Sequence, residues 1–346
     1  MSLPKTVTAA LLIVLAGAAC GGSPAPSSPV RAEFRVGRDP GPALVAAGAV
    51  WVPNEADGTV SRIDPATNRV AATVTIGDPQ VMLAHGCGVD SVHSLMWDTL
   101  LYRRCSLPSG LATDGRSVWA ADNVAHGLVR IDPRTNKIVQ RFPIGADPFA
   151  IAWGFGSLWV SSYFNDPQEV LRVDPVSGKV MAEIGGPAMG GSGIVVGAGA
   201  VWVAATYAGT LSRIDPATNS ITATIPVESY PLALAVGDGS VWVRNEDSSS
   251  ISRVDPATNR VTATVRGISS LPQAHSDDAV AAGNDGLWIA GLQLLRLDPH
   301  RSRLAAKIDV TGSAVAEGYG SLWLISVFGT LQRIDPGSAT AIPGGD

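Results

Sequence analysis

From Glu33 onward the chain is a succession of short apolar segments separated by clusters of Gly, Pro, Asn and Asp. The stretch Pro231 to Val265 shows the unit most clearly. Leu232-Ala233-Leu234-Ala235-Val236 predicts a buried inner strand, A. After the turn Gly237-Asp238-Gly239, Ser240 to Arg244 predicts strand B, Ile251 to Asp255 strand C, and Arg260 to Val265 the outer strand, D. The C-to-D turn Asp255-Pro256-Ala257-Thr258-Asn259 has its own logic. Asp bonds the backbone ahead of it, Pro presets φ, and Asn tolerates the left-handed conformation.

This unit repeats. Trp51, Trp119, Trp159, Trp202, Trp242, Trp288 and Trp323 each follow a small and an apolar residue. An Arg-x-Asp-Pro block comes next, its Asp at positions 64, 132, 174, 215, 255, 298 and 335, 10 to 15 residues after the Trp. Neighbouring Trp residues lie 35 to 46 apart except for one gap of 68. A period near 40 made of short strands is that of propeller blades, so the expected fold is an all-β, seven-bladed β-propeller of four-stranded blades over residues 33–346. Asn68, Asn136, Gly178 and Asn219 occupy the place of Asn259, whereas Ser302 and Ala339 break the pattern. The Gly is the expected exchange if φ is positive there. A D-like strand, Glu33 to Val36, precedes the first Trp, and only a weak Thr340-Ala341-Ile342 follows the last Asp-Pro. The N-terminal strand is therefore expected to complete the last blade and remove open sheet edges.

Seven Arg residues (62, 130, 172, 213, 253, 296, 333) precede the Asp by two and share its face. Because all seven copies are alike, the Arg–Asp pairs are read as structural, a candidate bridge between blades. The Trp residues are read as inter-blade packing.

Composition agrees with many short strands, with 38 Gly, 24 Pro and only 16% charged residues. A net charge of −5 supplies no field for phosphate backbones, which argues against nucleic acid as a partner. Residues 1–20 resemble an export signal: Lys5, an apolar run from Val7 to Ala19, then Leu15-Ala16-Gly17-Ala18-Ala19-Cys20, which is similar to a lipobox with Cys20 as the lipid-bearing residue. An ordinary secretory signal cut near Ala19 is the alternative. Either places the folded part outside the cytoplasm, behind a flexible tether at 21–32. The membrane is then reached only by the lipid anchor, and a monomer is expected.

The 68-residue gap holds an insertion near 78–109 that carries His85, Cys87, His93, Trp97, Tyr102, Arg103, Arg104 and Cys105. In an oxidising compartment the pair Cys87 and Cys105 is expected as a disulfide, with a Cys/His zinc site the alternative. Val81-Met82-Leu83-Ala84 also resembles strand A of an eighth blade, although no Arg-x-Asp-Pro block follows.

The phrase Thr210 to Val227 (TLSRIDPATNSITATIPV) resembles the repeat of YVTN/YncE-type propellers, and the Gly-x-Val-Trp-Val openings resemble the streptogramin (virginiamycin B) lyase group. The resemblance spans residues 33 to 343. For the lyase group it implies a carboxylate-held Mg²⁺ and a catalytic His on a His-Gly strand entering a blade. The entering strands Pro148-Phe149-Ala150-Ile151, Gly193-Ile194-Val195-Val196, Pro231-Leu232-Ala233-Leu234 and Gly312-Ser313-Ala314-Val315 carry no His, so no catalytic residue transfers.

Topology places the D-to-A and B-to-C connections on one face, the loop face. It gathers Glu55, Asp57, Asp122, His126, Asp166, Glu246 and Asp247 from B-to-C loops, and His275 and Asp277 from a D-to-A connection. The insertion's His85, His93, Trp97, Tyr102, Arg103 and Arg104 join them. Asn54, Asn123, Asn165, Asn245, Tyr163 and Tyr207 are expected on the same rim. The expected role is binding of a protein, glycan or small molecule at that face. No cofactor is firmly implied, and a divalent metal is the candidate held by these oxygen donors. The alternative is a metal-assisted lyase or hydrolase using the same face.

Overall fold

The computed structural model describes residues 28–77, 110–162, 169–185, 193–269, 280–283, 286–326 and 328–343. They form seven antiparallel sheets arranged as the blades of a propeller. Blade 1 comprises Leu44–Ala46, Ala49–Asn54, Thr59–Asp64 and Arg69–Thr75 as strands A to D. Blades 2 to 6 open with Leu111–Thr113, Pro148–Gly154, Ile194–Gly197, Pro231–Gly237 and Val280–Gly283. Each innermost strand packs against those of the two adjacent blades, and the first closes on Gly312–Gly318 of blade 7.

The chain ends interlock as expected, and then go further. Val30–Arg35 is the outer strand of blade 7, with Phe34 opposite Leu331 and Arg35 opposite Thr330. Beyond Asp335, Pro336–Ser338 forms a single 3₁₀ turn instead of the usual C-to-D turn, and Ala339 is extended. The chain therefore runs on, and Thr340–Ala341 adds a fifth strand to blade 6 by pairing with Ala306 and Lys307. The weak C-terminal segment is an edge cover for the neighbouring blade.

The apolar core is divided among the seams. Seven buried clusters are found among the described residues, and each joins two adjacent blades. Each Trp lies in the cluster between its own blade and the next, and all seven are at most 1% exposed. By area, burying such an indole contributes roughly 4–6 kcal/mol, so the repeat's largest side chain is spent holding blade to blade.

The Arg and Asp residues part company. In every blade the Arg lies across from the Trp and places its guanidinium 5.1–6.0 Å from the ring centre. At three seams it also reaches the next blade. Arg172 donates to Pro216 O and Asn219 Oδ1, Arg213 to Pro256 O and Asn259 Oδ1, and Arg333 to Pro65 O and Asn68 Oδ1, at 2.6–2.9 Å. The bridge between blades is real, but its acceptor is the neighbour's turn and not the adjacent Asp. That Asp caps its own turn. Asp255 accepts from Ala257 N and Thr258 Oγ1, and Asp64 from Ala66 N and Thr67 Oγ1. Those bonds hold the Asp64 and Asp255 carboxyls below the usual carboxylate range. The turn Asn is left-handed as expected, with φ of 54–57° at Asn68, Asn136, Asn219 and Asn259 and 75° at Gly178.

Candidate functional site

The B-to-C and D-to-A connections meet on one face, as Gly41 N to Pro53 O and Glu55 N to Asp39 O show for blade 1. The described polar groups of this face stand in separate corners on blades 1, 2 and 5.

Blade 1 contributes Asp57, whose carboxylate accepts from Arg38 N at 2.8 Å and Arg38 Nε at 2.6 Å. Glu55 lies in the same loop. Asn54, expected on the rim, is instead fully buried at the end of strand B, where its Nδ2 donates to Thr59 Oγ1 and Ser61 Oγ. Asn245 repeats this brace in blade 5 through Ser250 and Ser252, and Asn123 is likewise buried.

Blade 2 carries the most individual corner. Asp122 ends strand Val118–Asp122 and is 3% exposed. It accepts from Ala125 N and from Arg141 Nη1, both at 3.1 Å, while Arg141 Nη2 donates to Ile76 O of blade 1 at 2.8 Å. Burial pushes the Asp122 carboxyl above its usual range, against the opposing pull of the Ala125 N–H and Arg141. Four residues on, His126 is left-handed at φ 49°. Glycine holds the equivalent loop position at Gly58, Gly209 and Gly329. The His126 carbonyl takes the N–H groups of Ile144 and Gly145, as Gly58 takes those of Ile76 and Gly77. Its ring Nδ1 contacts Asp147 Oδ1 of the D-to-A connection. The ring is largely exposed, and its contact with Asp147 through Nδ1 fixes its orientation.

Blade 5 adds Arg244, 2% exposed, where blades 1, 2, 4 and 6 have Pro53, Ala121, Ala204 and Ala290. Its guanidinium donates to Asn245 O, Ser250 O and Ile268 O at 2.9–3.2 Å. Burial pushes its pKa down, and the nearby Glu246 opposes that. Glu228 accepts from Ser250 Oγ at 2.5 Å and contacts Arg266. Asp247 is exposed in the same loop.

Large apolar side chains also stand on this face. Tyr207 is 65% exposed and meets Tyr230 edge-on at 6.1 Å, Leu292 is 49% exposed and Phe328 84%. The opposite face has exposed apolar groups too, Phe155, Val176 and Tyr319, but they sit in A-to-B and C-to-D turns.

Sequence reasoning placed Glu55, Asp57, Asp122, His126, Glu246 and Asp247 on the loop face, and there they are, distributed over blades 1, 2 and 5. It missed Arg141, Asp147, Arg244 and Phe328. The break from small residues at position 244 was a usable signal; the Asp147 partnership was not, since it joins two loops. Among the described residues no group of three or more His, Cys, Asp or Glu side chains could hold a metal ion. Cys20, His85, Cys87, His93, Trp97, Tyr102, Arg103, Arg104, Cys105, Tyr163, Asn165, Asp166, His275 and Asp277 lie outside the described residues, and with them the lipid, disulfide, zinc and eighth-blade readings.

No family model matches the chain, and no curated protein matches it by sequence. Solved structures do. The β-propeller domain of Cps50 (Swd1) from Myceliophteria thermophila is 13% identical with a TM-score of 0.66, covering 88% of this chain and 98% of that one. A streptogramin B lyase is 15% identical, with a TM-score of 0.65 over 89% and 95% of the two chains. A chain of a mitotic checkpoint complex is 10% identical, with a TM-score of 0.68 over 95% and 98%. At such identities the likeness is one of architecture, and in architecture this chain is an all-β, seven-bladed propeller.

Proposed function

We propose that this propeller is an exported binding protein, lipid-anchored through Cys20, that engages a protein partner through its loop face. The observation that carries the reading is the exposure of Phe328, Leu292 and Tyr207 on B-to-C loops. These side chains take no part in the seam clusters, whereas every repeated Trp does. Exposed aromatic side chains beside ordered charged groups are what interface hot spots are made of. Gly77 and Gly110, which flank the insertion 78–109, both stand at connections of the same face. Propeller neighbours of known structure include a chain of a multi-protein complex.

The test compares immobilised wild-type protein with Tyr207→Ser/Phe328→Ser and with the opposite-face pair Phe155→Ser/Tyr319→Ser for retention of envelope proteins from the native cell. Retention lost only in the loop-face variant is expected. Equal retention by all three, or loss confined to the opposite-face variant, overturns the reading. Anchoring is tested separately by whether Cys20→Ser moves the mature protein out of the detergent phase.

A second reading rests on the His126–Asp147 contact, an oriented imidazole of the kind used in acid–base chemistry. A streptogramin-type cyclic ester is its test substrate. Turnover that disappears in His126→Gln supports it; no turnover by the wild-type protein ends it.

A further inference from the structure

The seam between blades 1 and 2 departs from its equivalents. At three other seams the strand C Arg is latched to the next blade's turn Asn, and where that bond is missing at seams 2–3, 5–6 and 6–7 the cause is local. Gly178, Ser302 and Ala339 stand in the Asn position and offer no amide. At seam 1–2 both parts are present, as Arg62 and Asn136, in the places of Arg213 and Asn259. The bond is nevertheless not made. Asn136 Oδ1 and Arg62 Nε are both buried without a hydrogen-bond partner among the described residues. The Nε is orphaned further because Ala49 replaces the Ser that receives Nε in blades 2, 3, 5 and 7, through Ser117, Ser157, Ser240 and Ser321.

Between the unlatched groups lies a cavity of about 800 Å³, lined by Arg62, Arg116, Arg130, Arg134, Asn136 and Ser117 among others. It is on the face opposite the loop face, formed by A-to-B and C-to-D turns. The lining holds four guanidinium groups against one carboxylate, Asp132. That carboxylate is already taken by Arg134 N and the Arg134 side chain. The cavity is thus strongly cationic, far larger than a water site, and in the size range of small-molecule pockets. Arginine clusters of this kind select oxyanions by paired N–H donors.

We infer that the open seam between blades 1 and 2 is a binding site for a small-molecule oxyanion, a sugar-sized molecule bearing phosphate or carboxylate held by Arg62, Arg116, Arg130 and Arg134. This site is independent of the loop face and of the function proposed for it.

The experiment is isothermal titration of the full chain with glucose 6-phosphate, glucuronate, inorganic phosphate and uncharged glucose. Saturable binding of at least one sugar anion is expected, tighter than inorganic phosphate, with none for glucose. Arg116→Ala and Arg134→Ala change exposed side chains and leave the fold intact; each should weaken binding by about tenfold. No saturable binding of either sugar anion, or binding indifferent to both Arg variants, overturns the site. Equal affinity for phosphate and the sugar anions overturns the sugar-sized ligand.

Discussion

Replacing Arg213 by Met removes one inter-blade latch without altering the core. The guanidinium donates to Pro256 O and Asn259 Oδ1, each at 2.9 Å, and lies 5.4 Å from the centre of Trp202. Hydrogen bonds from a charged group contribute about 1.5–3 kcal/mol each. Arg213 is half-buried, so the lower end applies and the pair comes to about 3 kcal/mol. The ring contact adds about 0.5 kcal/mol. Arg296 is the internal control, because it faces Trp288 at 6.0 Å but Ala339 gives it no amide acceptor. Arg296→Met should therefore cost only about 0.5–1 kcal/mol. Asn259→Gly removes one acceptor but relieves a left-handed residue, for a net cost of about 0.5–1 kcal/mol. The double variant should show a coupling of about 1.5 kcal/mol, the energy of the shared bond. Urea midpoints at unchanged slope measure all four proteins. Equal costs for Arg213→Met and Arg296→Met, or additivity in the double variant, would refute the latch.

Further outcomes follow from the same contacts. Trp202→Ala empties the seam between blades 4 and 5 and should cost about 3–5 kcal/mol, whereas Tyr207→Ala, on the exposed rim, should leave the urea midpoint unchanged. The turn aspartates have folded pKa values below the unfolded ones, so their contribution is complete above about pH 4 and is lost as pH falls through the folded values. Melting temperatures from pH 6 down to pH 2.5 should fall less steeply in Asp255→Ala than in the wild type. Asp122 works in the opposite sense, since its raised carboxyl makes the ionised form the costly one in the folded state. Removing Arg141 strands that charge, so Arg141→Ala should cost about 1–2 kcal/mol at pH 7 and less at pH 4; a larger cost at pH 4 would contradict the assignment.

The blade pattern was legible because Trp, Asp-Pro and turn Asn serve local needs, packing beneath a strand and closing a tight turn, that leave the same residues at the same spacing. Closure by the strand around Phe34 was legible for a related reason: one D strand was surplus at the front. The acceptor of Arg213 was not, for Asn259 lies 46 residues away across a seam while Asp215 stands two residues off. The fifth strand was hidden because Thr340–Ala341 borrows its partner from the preceding blade. Likewise, nothing in a linear reading joins His126 to Asp147 or reports that Arg62 and Asn136 stay apart.

The outer strand of blade 7 has a consequence for the order of synthesis. Glu33 accepts from Thr330 Oγ1 across 297 residues of chain. At roughly 5–20 residues per second, that strand leaves the ribosome about 15–60 s before its partner exists. For all that time it is an unpaired edge, the state in which β-segments meet the wrong neighbour. Its alternation supplies the protection: Arg31, Glu33 and Arg35 occupy one face of the strand and remain exposed after closure, while Val30, Ala32 and Phe34 turn inward. Three charges in six residues make a poor template for another chain, so the segment that must wait longest is also the one least suited to aggregate while waiting.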